Sequence, residues 1–325
     1  MSMNRFELAR AGSVAEARSL VGERPGSVLK AGGIDLLDHM KERLLEPPRV
    51  VDLKAIPGMD QIAVQADGSL RIGPLVTLAQ VASHAGVAKT HRALAQACGE
   101  AASPQIRNVA TIGGNVLQRP RCWYYRLESY KCLKKGGDVC FAVGGENRYH
   151  VIFGGGPSYA AHASNAAVAL VAFGASFVLE GSKGRRTVPA ADFFTPPSRD
   201  PEKENLLEPG EVLTEIQVPA ATGTRSVYDA VRERAAFDWP LVSMAAVLAI
   251  AGGVVKDARI VLGAVAPMPW RSPKAEQALA GKALGAEAAT AAARAAIVGA
   301  TPLSDNEYKV SLLQTLVRRT LLSLA

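Results

Sequence analysis

Cysteine, histidine and aromatic residues are scarce in this sequence. Among 325 residues there are 4 Cys and 5 His, and Phe, Trp and Tyr together make up 6%. So few thiols exclude a disulfide-stapled scaffold. No H-E-x-x-H occurs, and His39, His84, His91, His150 and His162 lack metal-ligand spacing, so each reads as structural. The absence of G-x-S-x-G removes a nucleophile elbow. There is no G-x-G-x-x-G at a strand–helix junction and no G-x-x-x-x-G-K-[ST], so neither a Rossmann site nor a P-loop accounts for the glycines. Long apolar runs are missing too. The longest, Ala166 to Leu179, has 14 residues and contains Gly174, short of the roughly 20 that a bilayer requires; no membrane span is expected. The first ten residues carry Arg5, Glu7 and Arg10 and no apolar signal region. A cytoplasmic location is expected, with co-export on a signal-bearing partner into the periplasm as the alternative.

What is present is an ordinary globular balance, 48% apolar and 21% charged, in a chain long enough for two domains. The net charge of +7 is scattered, except for Lys131, Lys134 and Lys135 and the pair Arg185–Arg186. Such an excess permits an acidic ligand. It forms no repeated basic stripe interleaved with aromatics, so nucleic acid is not an expected partner.

The chain opens with a strand at Arg5–Leu8, a helix from the capping box Ser13–Glu16 to about Val21, and a strand at Ser27–Lys30. A helix over Asp35–Leu45 and a strand at Arg49–Leu53 complete a unit of residues 1–56. Ile62–Val64 and Leu70–Ile72 alternate about an Asp67–Gly68 turn, a hairpin signature. Helices are expected from Thr77 and over Ala93–Ala101, and strands over Ala166–Leu179, Arg186–Val188 and Glu211–Val218. Pro219–Gly223 reads as a boundary between a domain of residues 1–220, whose second subdomain is 57–220, and one of 224–325. The latter begins with three strands, Val227–Glu233, Ser243–Ala251 and Ala258–Val265. It continues as Ala-rich helices, the last opened by a capping box at Ser304–Glu307 and running to Leu322. Sheet followed by helices argues an α+β domain.

Two glycine pairs stand where chemistry is possible. Lys30-Ala31-Gly32-Gly33-Ile34-Asp35 lies between a strand and a helix start, where backbone N–H groups and the helix dipole favour an anion. Ala110-Thr111-Ile112-Gly113-Gly114-Asn115 adds two side-chain donors beside two glycines, which suits a pyrophosphate. The three cysteines Cys122, Cys132 and Cys140 fall within 19 residues. In a cytosolic chain, that cluster suggests metal or iron–sulfur before disulfides. Cys98 stands alone and reads as core.

Ala31–Leu37 and Ser103-Pro-Gln-Ile-Arg-Asn-Val-Ala-Thr-Ile-Gly-Gly-Asn115 resemble the two FAD loops of the medium, flavin-binding subunit of xanthine dehydrogenase-type molybdenum hydroxylases, over nearly the whole chain. The resemblance implies a p-cresol methylhydroxylase-type FAD domain of two α+β subdomains, followed by a small carbon monoxide dehydrogenase flavoprotein-type α+β domain. It implies an oxidoreductase component with no acid–base residue of its own. FAD would take electrons from [2Fe–2S] centres of a small subunit and pass them to an external acceptor. The partner molybdenum-cofactor large subunit would oxidise an aldehyde or N-heterocycle. A freestanding flavin reductase or oxidase of the same fold is the alternative. Carried over by position, the FAD site comprises Lys30, Ala31, Gly32, Gly33, Ile34, Asp35, Leu36, Thr77, Asn108, Thr111, Gly113, Gly114, Asn115, Ser164 and Asn165. The glycine loops would cradle phosphates, and Thr77 would lie near the ring. Asn165 stands where relatives have an acidic residue, and Ala230 where they have Lys; Arg232 and Arg234 are further candidates near the cofactor.

The stretch Leu117–Arg126, with Cys132, Cys140 and Glu146–His150, is similar to the branch of bacterial aldehyde oxidoreductases whose flavin subunit carries an extra [4Fe–4S] centre on four cysteines in a loop, here residues 118–160. Cys122, Cys132 and Cys140 match three of them. The fourth position falls near Ser158. Either Ser158 or another oxygen ligand completes a cluster, or the site is a plain loop.

Overall fold

The computed structural model describes residues 3–234 and 237–325; Met1 and Ser2, included in the N-terminal reading, lie outside them. The first unit is β1 (Glu7–Arg10), α1 (Val14–Gly22), β2 (Val28–Lys30), α2 (Ile34–Lys41) and β3 (Arg49–Asp52), with the sheet parallel in the order β1-β3-β2. Ser13 Oγ accepts the Glu16 N–H and starts α1, but the Glu16 carboxylate accepts from Gly12, one residue before the position a capping box requires. Arg43 at φ 56° stops α2 short of the expected Leu45.

The second unit begins with the hairpin β4 (Ile62–Val64) and β5 (Leu70–Ile72), turned at Gly68 with φ +87° and held by Asp67 Oδ1 on the Ser69 N–H. Short helices follow: α3 (Leu78–Ser83), α4 (Ala85–Thr90), α5 (Arg92–Gly99), α6 (Pro104–Arg107), α7 (Ile112–Val116) and α8 (Trp123–Arg126). Then come α9 (Asn165–Ala172), β6 (Ser176–Gly181), β7 (Gly184–Pro189), α10 (Ala190–Phe193) and β8 (Val212–Val218). The sheet order is β4-β5-β8-β6-β7.

The run expected as one strand over Ala166–Leu179 is therefore a helix and then a strand. Ser164 Oγ caps α9 by accepting the Ala167 N–H, Ala dominates the segment, and Gly174 at φ +68° breaks it before β6. Every residue of α9 is buried. An uninterrupted apolar run carries no period by which a buried helix and a buried strand can be told apart.

The last unit has β9 (Thr224–Val231), β10 (Val242–Ala251), β11 (Val254–Gly263) and the short β12 (Trp270–Arg271), four strands in place of the expected three. Helices α11 (Pro273–Leu279), α12 (Ala286–Ala296) and α13 (Tyr308–Leu322) cover one face around a core that includes Leu248, Ile260, Leu313 and Val317. The expected capping box at Ser304–Glu307 does not form. Glu307 makes no side-chain cap, Ser304 Oγ accepts from Asn147 Nδ2, and Asn306 Oδ1 accepts from the Leu303 N–H. Those side chains tie α13 to the cysteine loop instead. The other face of the sheet, at Tyr228, Ala245 and Val261, joins the core of the second unit around α5 and α9. Among the described residues no helix is long and apolar enough to cross a membrane.

Candidate functional site: a glycine-clasped cleft

A cleft of about 830 Å³ opens between the first two units and the β9–β10 connection. Its floor is the junction of the two glycine loops. A Cβ on Gly32 would overlap the Val109 carbonyl oxygen and stand 3.1 Å from Val109 C and 3.2 Å from Ala110 Cα, so the loops touch backbone to backbone. Gly33, at φ +83°, is the N-cap of α2 and offers no capping side chain. Leu37 N–H is bonded to Gly33 O, so the N–H groups of Ile34, Asp35 and Leu36 have no carbonyl partner in the helix. All three residues line the cleft. Unpaired N–H groups at the positive end of a helix form an anion cradle. Lys30 also lines the cleft, its Nζ held 3.0 Å from Asp52.

The second loop contributes differently from its sequence reading. A Cβ on Gly113 would lie 2.6 Å from Pro74 Cβ, so this glycine serves close packing, and its N–H is bonded to Pro74 O at 2.9 Å. Gly114 N–H is bonded to Thr111 Oγ1, the N-cap of α7. Both glycine amides are thus already bonded within the protein, Gly113 to Pro74 and Gly114 to Thr111. The donors this loop leaves for a ligand are the Thr111 hydroxyl proton and the Asn115 amide, whose Oδ1 accepts from the Ser164 hydroxyl at 2.6 Å. Asn165 lines the cleft, but Thr77 and Asn108 are not among its lining residues. Thr77 caps α3 in a reciprocal pair with Gln80, and Asn108 closes α6.

Above α2 lies an ionic layer built around Asp35, which the sequence reading placed in the FAD site without its arginine partners. Asp35 accepts from Arg126 at 2.8 Å and from the Arg119 N–H at 2.9 Å, and pairs with Arg121 at 3.0 Å. Burial pushes the Asp35 carboxyl up, but Arg121, the Arg119 N–H and Arg126 outweigh it and hold the group below the usual carboxylate range. Arg126 also reaches Asp38 at 2.7 Å, and Arg119 pairs with Glu204, which Lys134 shares at 2.8 Å. Lys134 of the basic cluster is thus an internal counter-ion. Burial lowers His39, against the Asp35 backbone carbonyl. With that carbonyl 2.7 Å from Nδ1, the ring proton sits there, so Nε2 accepts from Tyr125 OH at 2.9 Å.

The far wall comes from the last unit. Phe237, Asp238, Trp239 and Pro240, in the β9–β10 connection, line the cleft, and Arg121 stacks over the Trp239 ring at 4.7 Å. The signal for this wall is a Phe-Asp-Trp-Pro segment between two strands in an aromatic-poor chain. Of the other candidates on this strand pair, Arg232 pairs with Glu100 at 3.0 Å and Arg234 with Asp238 at 3.3 Å. Neither is among the residues lining the cleft.

The cysteine loop packs on an aromatic cluster in which Trp123 meets His150 and Tyr149, and Tyr124 meets Tyr130 and Phe141. Burial pushes the Cys122 thiol up to about 11, with the nearby thiols of Cys140 and Cys132 adding to the rise. His150 Nε2 lies 3.2 Å from Cys122 Sγ, a neighbour the spacing argument missed. Ser158 is buried and makes no hydrogen bond to any of the three thiols. Among the described residues no three His, Cys, Asp or Glu side chains converge as a metal-ion site. Cys98 is wholly buried on α5, its thiol pushed up to about 12 by burial.

Comparison with known proteins gives this geometry a family. The model for the FAD binding domain in molybdopterin dehydrogenase matches residues 4–221, and that for the CO dehydrogenase flavoprotein C-terminal domain matches residues 226–324. The chain is 35% identical to the FAD-binding subunit of an aldehyde oxidoreductase of Escherichia coli K12, over 99% of this chain and 97% of that protein. It is 33% identical to the medium chain of carbon monoxide dehydrogenase of Hydrogenophaga pseudoflava, over 98% and 96%. A solved carbon monoxide dehydrogenase from that organism, lacking the Mo-pyranopterin moiety of its cofactor, contains a chain that matches with a TM-score of 0.78 and 33% identity, covering 99% of this chain and 97% of that one. The cradle at α2 and the full-length match agree, and the chain belongs to the FAD-binding medium subunits of the xanthine dehydrogenase and CO dehydrogenase family of oxidoreductases.

Proposed function

We propose that this chain is the electron-transfer subunit of a heterotrimer. In this reading it takes electrons from the [2Fe–2S] centres of a small subunit and passes them to an external acceptor, while a molybdenum-cofactor large subunit oxidises an aldehyde or N-heterocycle. The observation that carries the reading is the clasp of Gly32 on Val109 beside the three open N–H groups of α2. That clasp makes a backbone cradle of the kind a pyrophosphate needs. FAD, when bound, supplies the redox chemistry, holding two electrons and releasing them singly or together. This chain's residues position it. The amides of Ile34, Asp35 and Leu36, with the Thr111 hydroxyl and the Asn115 amide, hold phosphate oxygens. Asn165 lines the cleft beyond them, and Trp239 closes the outer side against water.

In the same reading Cys122, Cys132 and Cys140 hold a [4Fe–4S] centre. The closeness of Cys132 and Cys140 to Cys122, enough for both to add to the rise of its thiol, supports it, and His150, beside Cys122, becomes a fourth-ligand candidate alongside Ser158. Thiolates suit iron because both are soft.

The test is an anaerobic visible spectrum of the purified, FAD-reconstituted chain, with flavin and iron assayed on the same sample. Flavin bands with a broad iron–sulfur shoulder and about four irons per chain are expected, the usual complement of a cubane cluster. Flavin without iron retires the cluster and keeps the electron-transfer reading. A folded chain that takes up no FAD refutes both.

A further inference from the structure

A turn at Gly136, φ +75°, doubles the cysteine loop back on itself. A Cβ on Gly137 would overlap the Lys131 carbonyl oxygen, so the two limbs touch backbone to backbone, and Leu133 N–H bonds Val139 O at 3.0 Å. Cys132, bridged to Val139, is thereby brought beside Cys140. Tyr124 stacks on Phe141 with ring centres 5.9 Å apart, which draws the segment of Cys122 to that of Cys140. A further link, Val151 N–H to Tyr159 O at 3.1 Å, sets Ser158 alongside His150, whose Nε2 is 3.2 Å from Cys122 Sγ. Three thiols and one corner of hydroxyl and imidazole are therefore gathered in one loop. A cubane spreads its ligands over four irons, so it does not need the single-ion convergence that is absent among the described residues.

Nothing at the fourth corner matches a thiolate. A serine hydroxyl is a hard donor, whereas iron–sulfur clusters are held by soft sulfur. A histidine that ligates metal almost always donates its other ring N–H to a carboxylate, a carbonyl or water. His150 Nδ1 is buried and finds no partner among the described residues, so the ring is not braced for that role. Its Nε2 is engaged with Cys122.

We propose that Cys122, Cys132 and Cys140 hold three irons firmly while the fourth, at the corner of His150 and Ser158, is exchangeable, which makes the loop an oxidation-responsive element. The inference rests on the reading of the loop as a [4Fe–4S] site. A one-electron oxidant takes one electron from [4Fe–4S]2+, and the product parts into [3Fe–4S]+ and Fe2+. The bonds that break are those of the fourth iron to its sulfides; the three thiolates keep theirs. Fe2+ and a one-electron reductant rebuild the cube.

The test takes the FAD-loaded full chain, its cluster rebuilt anaerobically with iron and sulfide, and titrates it with ferricyanide. Iron is counted after desalting, and the frozen sample is read by electron paramagnetic resonance. About one iron in four should leave at one oxidising equivalent per chain, as the signal of [3Fe–4S]+ appears. Fe2+ with dithionite should restore the iron and erase the signal. In Ser158→Cys a thiolate closes the corner, and the signal at the same dose should fall severalfold. Retention of all the iron through oxidation without that signal overturns the inference, as does loss of the whole cluster in one step. So does a folded Ser158→Cys chain that gives the signal as fully as wild type; if that variant does not fold, the wild-type titration decides. A chain that takes up no iron refutes the cluster reading, whereas a cluster unchanged by oxidation refutes this inference alone. Flavin assayed on the same sample keeps the FAD reading separate from both.

Discussion

Gly32→Ala is the substitution that most directly tests the cleft. The added methyl would overlap the carbonyl oxygen of Val109 and crowd Val109 C and Ala110 Cα, all backbone atoms. That backbone cannot yield easily, because Val109 and Ala110 N–H both bond Ile106 O and Ala110 O accepts from Leu78 N–H. Forcing an extra methyl into such a contact costs about 1–3 kcal/mol. If the loops part by that amount in the bound state, the FAD dissociation constant rises roughly tenfold to a hundredfold, at about 1.4 kcal/mol per decade. Gly114→Ala is the internal comparison. Its Cβ would stand 3.1 Å from Thr111 Oγ1, a side-chain atom that can shift, so a change of only a few-fold is expected. Gly22→Ala, with no atom within 4 Å, is the control. The assay is titration of FAD-free protein followed by flavin fluorescence, with thermal melts of each variant. A Gly32→Ala protein that binds FAD within twofold of wild type and melts with it would show that the loops do not meet as described.

Asp35→Asn leaves Arg121 and Arg126 without their shared carboxylate, and breaking such a part-buried pair should cost up to about 3 kcal/mol in urea unfolding at pH 7. Because the Asp35 pKa is lowered in the fold, its contribution is complete above the ordinary aspartate value and is lost as pH falls through the lowered one. The variant and wild type should therefore converge in strong acid, and a constant gap would sink the assignment. His150 and His162 are both pushed from 6.5 down to about 4, chiefly by burial, so the unfolded chain binds protons there that the folded chain does not. Stability should fall as pH drops from 6.5 to about 4, and His150→Gln with His162→Gln should flatten that slope in melts across the range. Lys309, fully buried on α13, donates to Tyr149 O and Ala264 O, and Lys309→Met should destabilise by about 2 kcal/mol through the orphaned carbonyls; an unchanged melting temperature would contradict it.

The legible parts of this chain were those with local punctuation. The Gly32–Gly33 pair, the Asp67–Gly68 turn and the α13 terminus at Leu322 each follow from a few adjacent residues. The buried α9 was not legible, because an all-apolar segment has no polar face to mark its period. The ionic layer was also hidden: Asp35 and Asp38 meet Arg119, Arg121 and Arg126 across more than eighty residues of chain. Gly113 was legible as important but not in its role, since a sequence cannot tell an amide offered to a ligand from a glycine pressed against Pro74. Trp239 needed the fold to bring the third unit over the first.

Asp35 belongs to two systems at once. Its backbone stands in the open turn of α2, while its carboxylate is the shared anchor of guanidiniums on either side of Cys122 in the chain. One residue thus joins the phosphate end of the cleft to the thiol loop through two contacts. Such a joint obeys reciprocity. Whatever factor cofactor occupancy adds to the ordering of the loop, an ordered or metallated loop returns to cofactor affinity. If the loop holds the cluster proposed above, flavin and cluster assemble as a pair, and a chain with an unordered loop holds its flavin loosely.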